Sequence, residues 1–200
     1  MPMAARPGLT QFGWSDIGAR DMMDLNGVTA LVTGAGSGMG AATAKALAKR
    51  GARVAVVDLN LESAQQTADS IKGLALSADV SSGESVEAAL QQVVDELGAP
   101  RVVVSCAGIA AASRIVGREG PHELDLYQRV INVNLVGTFN VLRLTAERMS
   151  TLDPVSDSGA RGVIVNTASV AAYDGQIGQA AYSSSKGGVV ALTLPAAREL

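Results

Sequence analysis

Tyr182 and Lys186 stand four residues apart in Tyr182-Ser183-Ser184-Ser185-Lys186, a spacing that puts a phenol and an ammonium on one face of a helix. A free phenol has a pKa near 10, so making it a usable acid or base near neutral pH needs a shift of about 3 units, roughly 4 kcal/mol. A unit positive charge about 4 Å away at an effective dielectric of about 20 supplies that much. Lys186 is such a charge. Taken alone the spacing is common, and its weight comes from a second motif. Thr33-Gly34-Ala35-Gly36-Ser37-Gly38-Met39-Gly40 follows a β-branched run and opens a helical pattern, so backbone N–H groups and the helix dipole face an incoming pyrophosphate. The common G-x-G-x-x-G spacing fails at Met39, whereas Gly34-x-x-x-Gly38-x-Gly40 holds. A glycine-rich turn without a ligand is the alternative.

Asp58 ends the next apolar run, near the offset of about 20 residues at which an acid meets the hydroxyls of an adenosine ribose. Its carboxylate would repel a 2′-phosphate, and no Lys or Arg lies between Gly34 and Gly40, so NAD is expected rather than NADP. The competing reading has Asp58 merely capping the following helix. Asp79, after the third run, reads equally as an adenine contact or as an ordinary loop aspartate; Leu59 and Val80 are counted with these two acids as cofactor contacts. Ser169 lies just past the fifth strand candidate, where such sheets meet their ligands, and its hydroxyl suits a substrate carbonyl. Asn134 falls inside a helical pattern that disfavours asparagine, so a reason for it is expected; a purely structural asparagine is the alternative. No metal site is expected.

These residues need a frame to hold them. From Val28 the chain alternates short β-branched runs with longer helical patterns, the signature of crossovers joining parallel strands. Strands are expected at Val28–Thr33, Arg53–Val57, Gly73–Ala78, Arg101–Ser105 and Gly162–Asn166, each almost continuously apolar as in strands covered on both faces. Helices are expected at Met39–Arg50, Leu61–Ile71, Ser85–Leu97, Leu124–Met149 with a break, and Ala181–Leu200. Gly51 and Gly98 follow two of these ends, where left-handed caps favour glycine. Ile109–His122 and Thr151–Ala160 read as surface loops. The fold class is therefore α/β: a Rossmann-like, doubly wound parallel sheet in three layers.

Composition agrees with one such domain. The 200 residues are 48% hydrophobic and 18% charged, enough to bury about 70% of the unfolded chain's surface. A net charge of −3, with scattered basic residues, gives no footprint for nucleic acid. Cys106 is the one cysteine; it falls in an apolar run and reads as a free buried thiol in a reducing compartment. Residues 1–24 lack the apolar core of a secretory signal and read as a flexible arm, with 25–200 the folded domain. No apolar run reaches the length of about 20 residues that crosses a bilayer, so a soluble, cytoplasmic protein without membrane partners is expected.

With these residues in view, the chain resembles the short-chain dehydrogenase/reductase family from about Leu25 to Leu200. The run from Gly162 through Ser169 to Tyr173, continued by Gly175-Gln176-Ile177-Gly178-Gln179-Ala180-Ala181-Tyr182, is similar to the 3-hydroxyacyl-CoA/17β-hydroxysteroid dehydrogenase branch. The resemblance implies NAD-linked oxidation of the 3-hydroxyl of an acyl-CoA, or of another secondary alcohol. Asn134, Ser169, Tyr182 and Lys186 would be the catalytic residues, with Asn134 holding a relay water. Gly34, Gly36, Ser37, Gly38, Met39, Gly40, Cys106, Ala107 and Gly108 would line the cofactor together with Tyr182 and Lys186. Ser169, Gln176, Gln179 and Tyr182 would meet substrate. It also implies a homodimer or homotetramer paired through the long helices Leu135–Met149 and Ala181–Leu200.

Two departures stand out. Ser105-Cys106-Ala107-Gly108 replaces the family's usual Asn-Asn-Ala-Gly, so any strand-stabilising work of the first asparagine falls to Ser105. Family members also run longer, with further strands and a substrate lid, so the 200-residue chain by itself is expected to be nearly inactive and prone to self-association through the open edge of its last strand. Competing readings are a 3-oxoacyl-carrier-protein reductase or polyol dehydrogenase, which Asp58 disfavours where NADPH is the cofactor, and a non-catalytic NAD-binding scaffold. A methyltransferase has no use for Tyr182 with Lys186.

Overall fold

The computed structural model describes residues 23–200; the arm expected at 1–24 lies outside them except for Met23 and Asp24. The chain runs β1 (Thr29–Thr33), α1 (Gly38–Lys49), β2 (Arg53–Asp58), α2 (Leu61–Ile71), β3 (Leu74–Ser77), α3 (Gly83–Leu97) and β4 (Val102–Ser105). A small hairpin, β5 (Val116–Gly117) with β6 (Gly120–Pro121), precedes α4 (Leu124–Ile131), a π-helical turn at Asn132–Val136 and α5 (Gly137–Ser150). β7 (Val163–Asn166), a 3₁₀ turn (Val170–Ala172) and α6 (Ala180–Glu199) complete it. The main sheet has the order β3-β2-β1-β4-β7 and every pairing in it is parallel, as the alternating pattern implied.

Alternate residues of β1, β2 and β4 feed two cores, the reason these strands read as unbroken apolar runs; in β7 only Ile164 packs on a core, and Val163 and Val165 are exposed. Ala30, Val32, Val54, Val56, Val102 and Val104 pack with Ala44, Ala64 and Ala68 of α1 and α2. Leu31, Ala55, Val57 and Val103 pack on the other face with Val86, Leu90 and Val93 of α3 and Val141 and Met149 of α5. Alanines in α1 and α2 let those helices lie close to the sheet, and each buried valine or leucine is worth about 1.5–3 kcal/mol over its exposed state. Met23 and Leu25 rest against the first of these cores. Among the described residues, no helix is long and apolar enough to cross a membrane.

The expected break within 124–149 is instead a π-turn. The helix continues through Asn132–Val136 with Gly137 N–H reaching back to the Asn132 carbonyl, which re-aims the side chains of that turn without ending the helix. Gly98 does have positive φ, but with ψ of 167° it is not the left-handed cap expected. That conformation falls to Lys72 after α2 (φ 55°, ψ 39°). The next residue, Gly73, is bound to be glycine for another reason, since an added Cβ would lie 2.7 Å from the Val54 carbonyl. The stretch Ile109–His122, expected to be loop throughout, carries the β5–β6 hairpin.

α1 approaches the loop before it so closely that a Cβ on Gly40 would overlap the Gly34 carbonyl oxygen, whereas one on Gly83 would meet only the flexible end of Arg143. Gly40→Ala should therefore cost about 3 kcal/mol, the upper end of ordinary overpacking, while Gly83→Ala should be neutral or gain a few tenths. Urea unfolding of the two variants checks this; equal midpoints would show that the helix is not seated on that carbonyl.

Candidate active site

The carboxyl ends of β1, β2, β3 and β4 surround a cleft of about 700 Å³, the place where doubly wound sheets take ligands. Ser37 is the N-cap of α1, yet its side chain accepts no hydrogen bond from the first turn. The helix therefore presents unsatisfied N–H groups to the cleft. Gly34 (φ 62°) is held against the end of β4, where an added Cβ would sit 2.6 Å from the Ala107 nitrogen. Its smallness thus serves contact between loop and strand as well as access for a ligand.

Asp58 is partly buried and reaches across to this loop. Its Oδ2 accepts from Gly36 N–H at 2.9 Å and its Oδ1 from Asn60 N–H at 3.0 Å. The helix-capping reading of Asp58 fails, because Asn60 caps α2 by accepting from Ser63 N–H. Asp79 Oδ1 is occupied by the N–H and hydroxyl of Ser81 at 2.9 and 2.6 Å. Of the expected cofactor residues, Gly34, Ser37, Gly38, Met39, Gly40, Asp58, Leu59, Asp79, Val80, Cys106, Ala107 and Gly108 all line the cleft. Gly36 stands behind the wall, holding Asp58. Sequence reasoning missed Val57, Asn60, Ala78, Ile109 and Val133, which carry no motif and are brought there by the register of the strands and the packing of the loops and π-turn beyond them. The lining includes no Lys or Arg.

Lys186 lies at the Cys106–Gly108 end of this cleft: its Nζ would be 3.8 Å from a Cβ placed on Gly108. It is 5% exposed, donates to the Thr167 carbonyl at 2.7 Å and stands 5.8 Å from the centre of the Tyr182 ring. Two of its three N–H donors remain for other partners. Burial pushes the ammonium below the ordinary lysine value, an effect opposed by the neighbouring Cys106 thiol. Cys106 itself is half-buried, more open than the core thiol expected, with Thr167 Oγ1 at 3.6 Å from its Sγ. Tyr182 is half-buried on the first turn of α6. The Ser105 hydroxyl is buried and unpartnered; the strand ends are tied by backbone bonds instead, from Cys106 N–H to Thr33 O and from Thr167 N–H to Ser105 O, both 3.2 Å.

Asn134 is completely buried in the π-turn. Its Oδ1 accepts from Ile109 N–H at 2.8 Å, and its Nδ2 donates to Ile109 O at 2.9 Å and to Ser185 Oγ at 3.0 Å. Both amide donors and one lone pair of Oδ1 are thereby used within the protein. The Asn134 backbone carbonyl accepts from Thr138 Oγ1 at 2.7 Å and keeps a second lone pair that suits a relay water.

Ser169 caps the 3₁₀ turn Val170–Ala172, accepting from Ala171 N–H at 3.2 Å, and that turn packs on α6. Its hydroxyl proton stays available. Gln179 Oε1 accepts from Gln176 N–H at 2.9 Å, and both residues line a separate, open cleft of about 500 Å³ with Ser113, Arg114 and Ser183. Asn134 and Lys186 thus meet the first cleft at Gly108, and Tyr182 stands beside Lys186. Neither Tyr182 nor Lys186 is among the residues lining that cleft, and the glutamines lie in the separate one. A smaller, mostly apolar cavity of about 390 Å³ between α5, β7 and α6 holds none of the expected site residues.

Comparison with known proteins agrees with this geometry. A 3-hydroxyacyl-CoA dehydrogenase type-2 from Bos taurus is 49% identical over 180 residues, which are 88% of this chain and 69% of that protein. The crystal structure of a 3-hydroxyacyl-CoA dehydrogenase type-2 from Mycobacterium avium superposes with a TM-score of 0.81 at 39% identity, over 87% of this chain and 69% of that one. That of a ribose-5-phosphate isomerase from Brucella melitensis 16M superposes with a TM-score of 0.77 at 35% identity, and there the chain spans 64% of its length. The family model for short chain dehydrogenases matches residues 28–200, and the chain belongs to that family.

Proposed function

We propose that the protein transfers a hydride between NAD(H) and the 3-carbon of a 3-hydroxyacyl-CoA or its 3-oxo counterpart. The observation that carries this reading is a buried ammonium set beside Gly108 of the glycine-lined cleft, with a half-buried phenol one helical turn away on the same helix. The names of its relatives from Bos taurus and Mycobacterium avium support the substrate class. The cleft fits a dinucleotide: its walls are glycine and alanine where backbone must be approached, the first turn of α1 leaves its N–H groups free, and space is open around Gly38, where an added Cβ would meet nothing within 4 Å. Asp58 without a nearby base on those walls suits a free ribose 2′-hydroxyl and opposes a 2′-phosphate.

When bound, the nicotinamide supplies or accepts the hydride. In the oxidation direction the Tyr182 phenolate takes the proton of the substrate hydroxyl as the C–H bond breaks; in reduction the phenol returns it to the forming alkoxide. Lys186 serves twice. Its charge favours the phenolate across the 5.8 Å to the ring, a Coulomb attraction less screened in a buried site than in water, and its free N–H donors suit the nicotinamide ribose. Ser169 holds the reacting oxygen by its available proton. Asn134 keeps α6 in place and offers its carbonyl to a relay water. Gln176 and Gln179 bound the substrate side.

In the same reading the enzyme works in the cytoplasm as a homodimer or homotetramer. Half-exposed Val136 at the end of the π-turn, Phe139 on α5 and Leu194 on α6 give the long helices an apolar surface suited to a second copy. The runner-up, an NADPH-linked reductase of the same family, is disfavoured by Asp58. A scaffold that binds NAD without catalysis would leave the burial of Lys186 beside Tyr182 without purpose.

Calorimetric titration should show NADH binding more tightly than NADPH, with Asp58→Ala narrowing the gap; equal affinities in the parent would refute the assignment of NAD. In the full-length protein, Tyr182→Phe should remove nearly all turnover of acetoacetyl-CoA while NADH affinity stays within about twofold, because the phenol oxygen moves a proton and does not hold the dinucleotide. Lys186→Ala should lower both turnover and NADH affinity. A Tyr182→Phe enzyme retaining more than a few per cent of kcat would sink the proposed chemistry.

A further inference from the structure

We propose that Ser185 is a positioning residue for proton transfer, setting Tyr182 by tying the first turn of α6 to Asn134. This rests on the reading of Tyr182 as the acid and base. Ser185 is fully buried and its hydroxyl is used in both directions. The O–H donates to the Tyr182 carbonyl at 2.7 Å, and the oxygen accepts from Asn134 Nδ2 at 3.0 Å. The same Asn134 amide clamps the backbone of Ile109 through two further bonds. A continuous line of hydrogen bonds therefore runs from the loop after β4, through the π-turn, to the backbone of the residue that bears the phenol.

The serine does not act as a helix former here. A mid-helix serine whose hydroxyl bonds a preceding carbonyl tends to bend or weaken its helix slightly, and alanine would be preferred at that position on propensity alone. What the hydroxyl adds is a partner for Asn134 Nδ2, a buried donor that would otherwise lose one of its two acceptors. One turn further along α6, an added Cβ on Gly188 would lie 2.5 Å from Leu135 Cδ2. The helix thus meets the π-turn by steric contact at Gly188 and by a polar bond at Ser185. The steric contact limits how near α6 can come; the directional bond fixes its rotation and its slide along its own axis. Those two freedoms decide where the Tyr182 oxygen points relative to substrate, while Lys186 is held separately by the Thr167 carbonyl.

The reading separates Ser185 from its neighbours. Ser184 is exposed, and Ser183, whose buried hydroxyl is unpartnered, faces the cleft of Gln176 and Gln179. Of the three serines between Tyr182 and Lys186, only Ser185 is placed to transmit the position of Asn134.

The test compares parent, Ser185→Ala and Ser185→Thr, with Ser185→Cys, which keeps the volume but hydrogen-bonds poorly, standing in should the alanine variant fail to fold. NADH fluorescence titration counts intact sites and gives affinity; kcat with acetoacetyl-CoA is then expressed per site in the full-length protein. Ser185→Ala should keep NADH affinity within about twofold and lose about 10- to 100-fold in kcat per site, the scale of a displacement near 1 Å, and Ser185→Thr, which keeps the hydroxyl, should recover most of it.

A second readout needs no turnover. The protein has three tyrosines, so in a ¹³C-tyrosine spectrum of the NADH complex, assigned with Tyr182→Phe, the Tyr182 resonance should shift or broaden in Ser185→Ala while those of Tyr127 and Tyr173 stay. An unmoved Tyr182 resonance, movement of all three together, or kcat per site equal to the parent's would overturn the proposal. A parent that binds NADH but does not turn over acetoacetyl-CoA would instead refute the proposed substrate, and the spectrum would still decide the role of Ser185.

Discussion

The buried amide of Asn134 is the constraint on which the catalytic end of the molecule depends. Both of its side-chain N–H donors and one lone pair of its oxygen are spent on two backbone groups of Ile109 and on Ser185, three contacts from elements far apart in sequence. Each such bond contributes only about 1 kcal/mol net, but leaving a buried donor or acceptor unmet costs about 1–3 kcal/mol. Alternative placements of α6 are therefore penalised more strongly than the native one is rewarded. The π-turn makes this possible, since widening one turn of a long helix turns a side chain inward that α-helical geometry would direct elsewhere. Thr138 completes the arrangement by bonding the Asn134 carbonyl.

Around that point the site divides into a part made of backbone and a part made of side chains. The cleft at the carboxyl ends of the strands is shaped by close approaches of main chain, Gly34 against Ala107 and Gly40 against Gly34, and by Asp58 bracing the loop through Gly36. Such a surface changes little when a ligand arrives, because the groups that would have to move are bonded to the ends of central strands. The side proposed for substrate is built from a capped 3₁₀ turn and from Gln176 and Gln179, which are joined by the bond from Gln176 N–H to Gln179 Oε1. Loops of this kind can be rearranged without disturbing the sheet.

Much of this was legible in the sequence because it depends on local rules. The parallel, doubly covered sheet and nearly all walls of the cleft follow from apolar periodicity and from glycines at fixed offsets, and the strand ends were displaced by only a residue or so. What escaped was non-local. Nothing near Lys72 announces a left-handed residue, and the neighbouring Gly73 is required by its approach to the Val54 carbonyl, which only the fold reveals. The apolar spacing within 124–149 shows an irregularity, but a break and a π-turn leave the same trace, and only the partners of Asn134 distinguish them. Ser185 was hidden inside a run of three serines, alike in type and unlike in burial. Ile109 and Val133 reach the cleft through packing of β4 and the π-turn, for which the chain carries no motif.

The electrostatics of Lys186 follow from the same division. An ammonium 5% exposed pays a desolvation cost that lowers its pKa, and in the described protein it is met by the Thr167 carbonyl and by no carboxylate within ion-pair distance. A carboxylate there would have secured the charge more cheaply, but it would also have neutralised the field that a neighbouring phenolate needs. A neutral carbonyl fixes the position of Nζ while leaving most of its charge uncompensated, facing Tyr182 and the cleft. The missing counter-charge is then to be completed by what binds, so that a ligand bringing electron-rich oxygens to Nζ gains from a cost already incurred in folding.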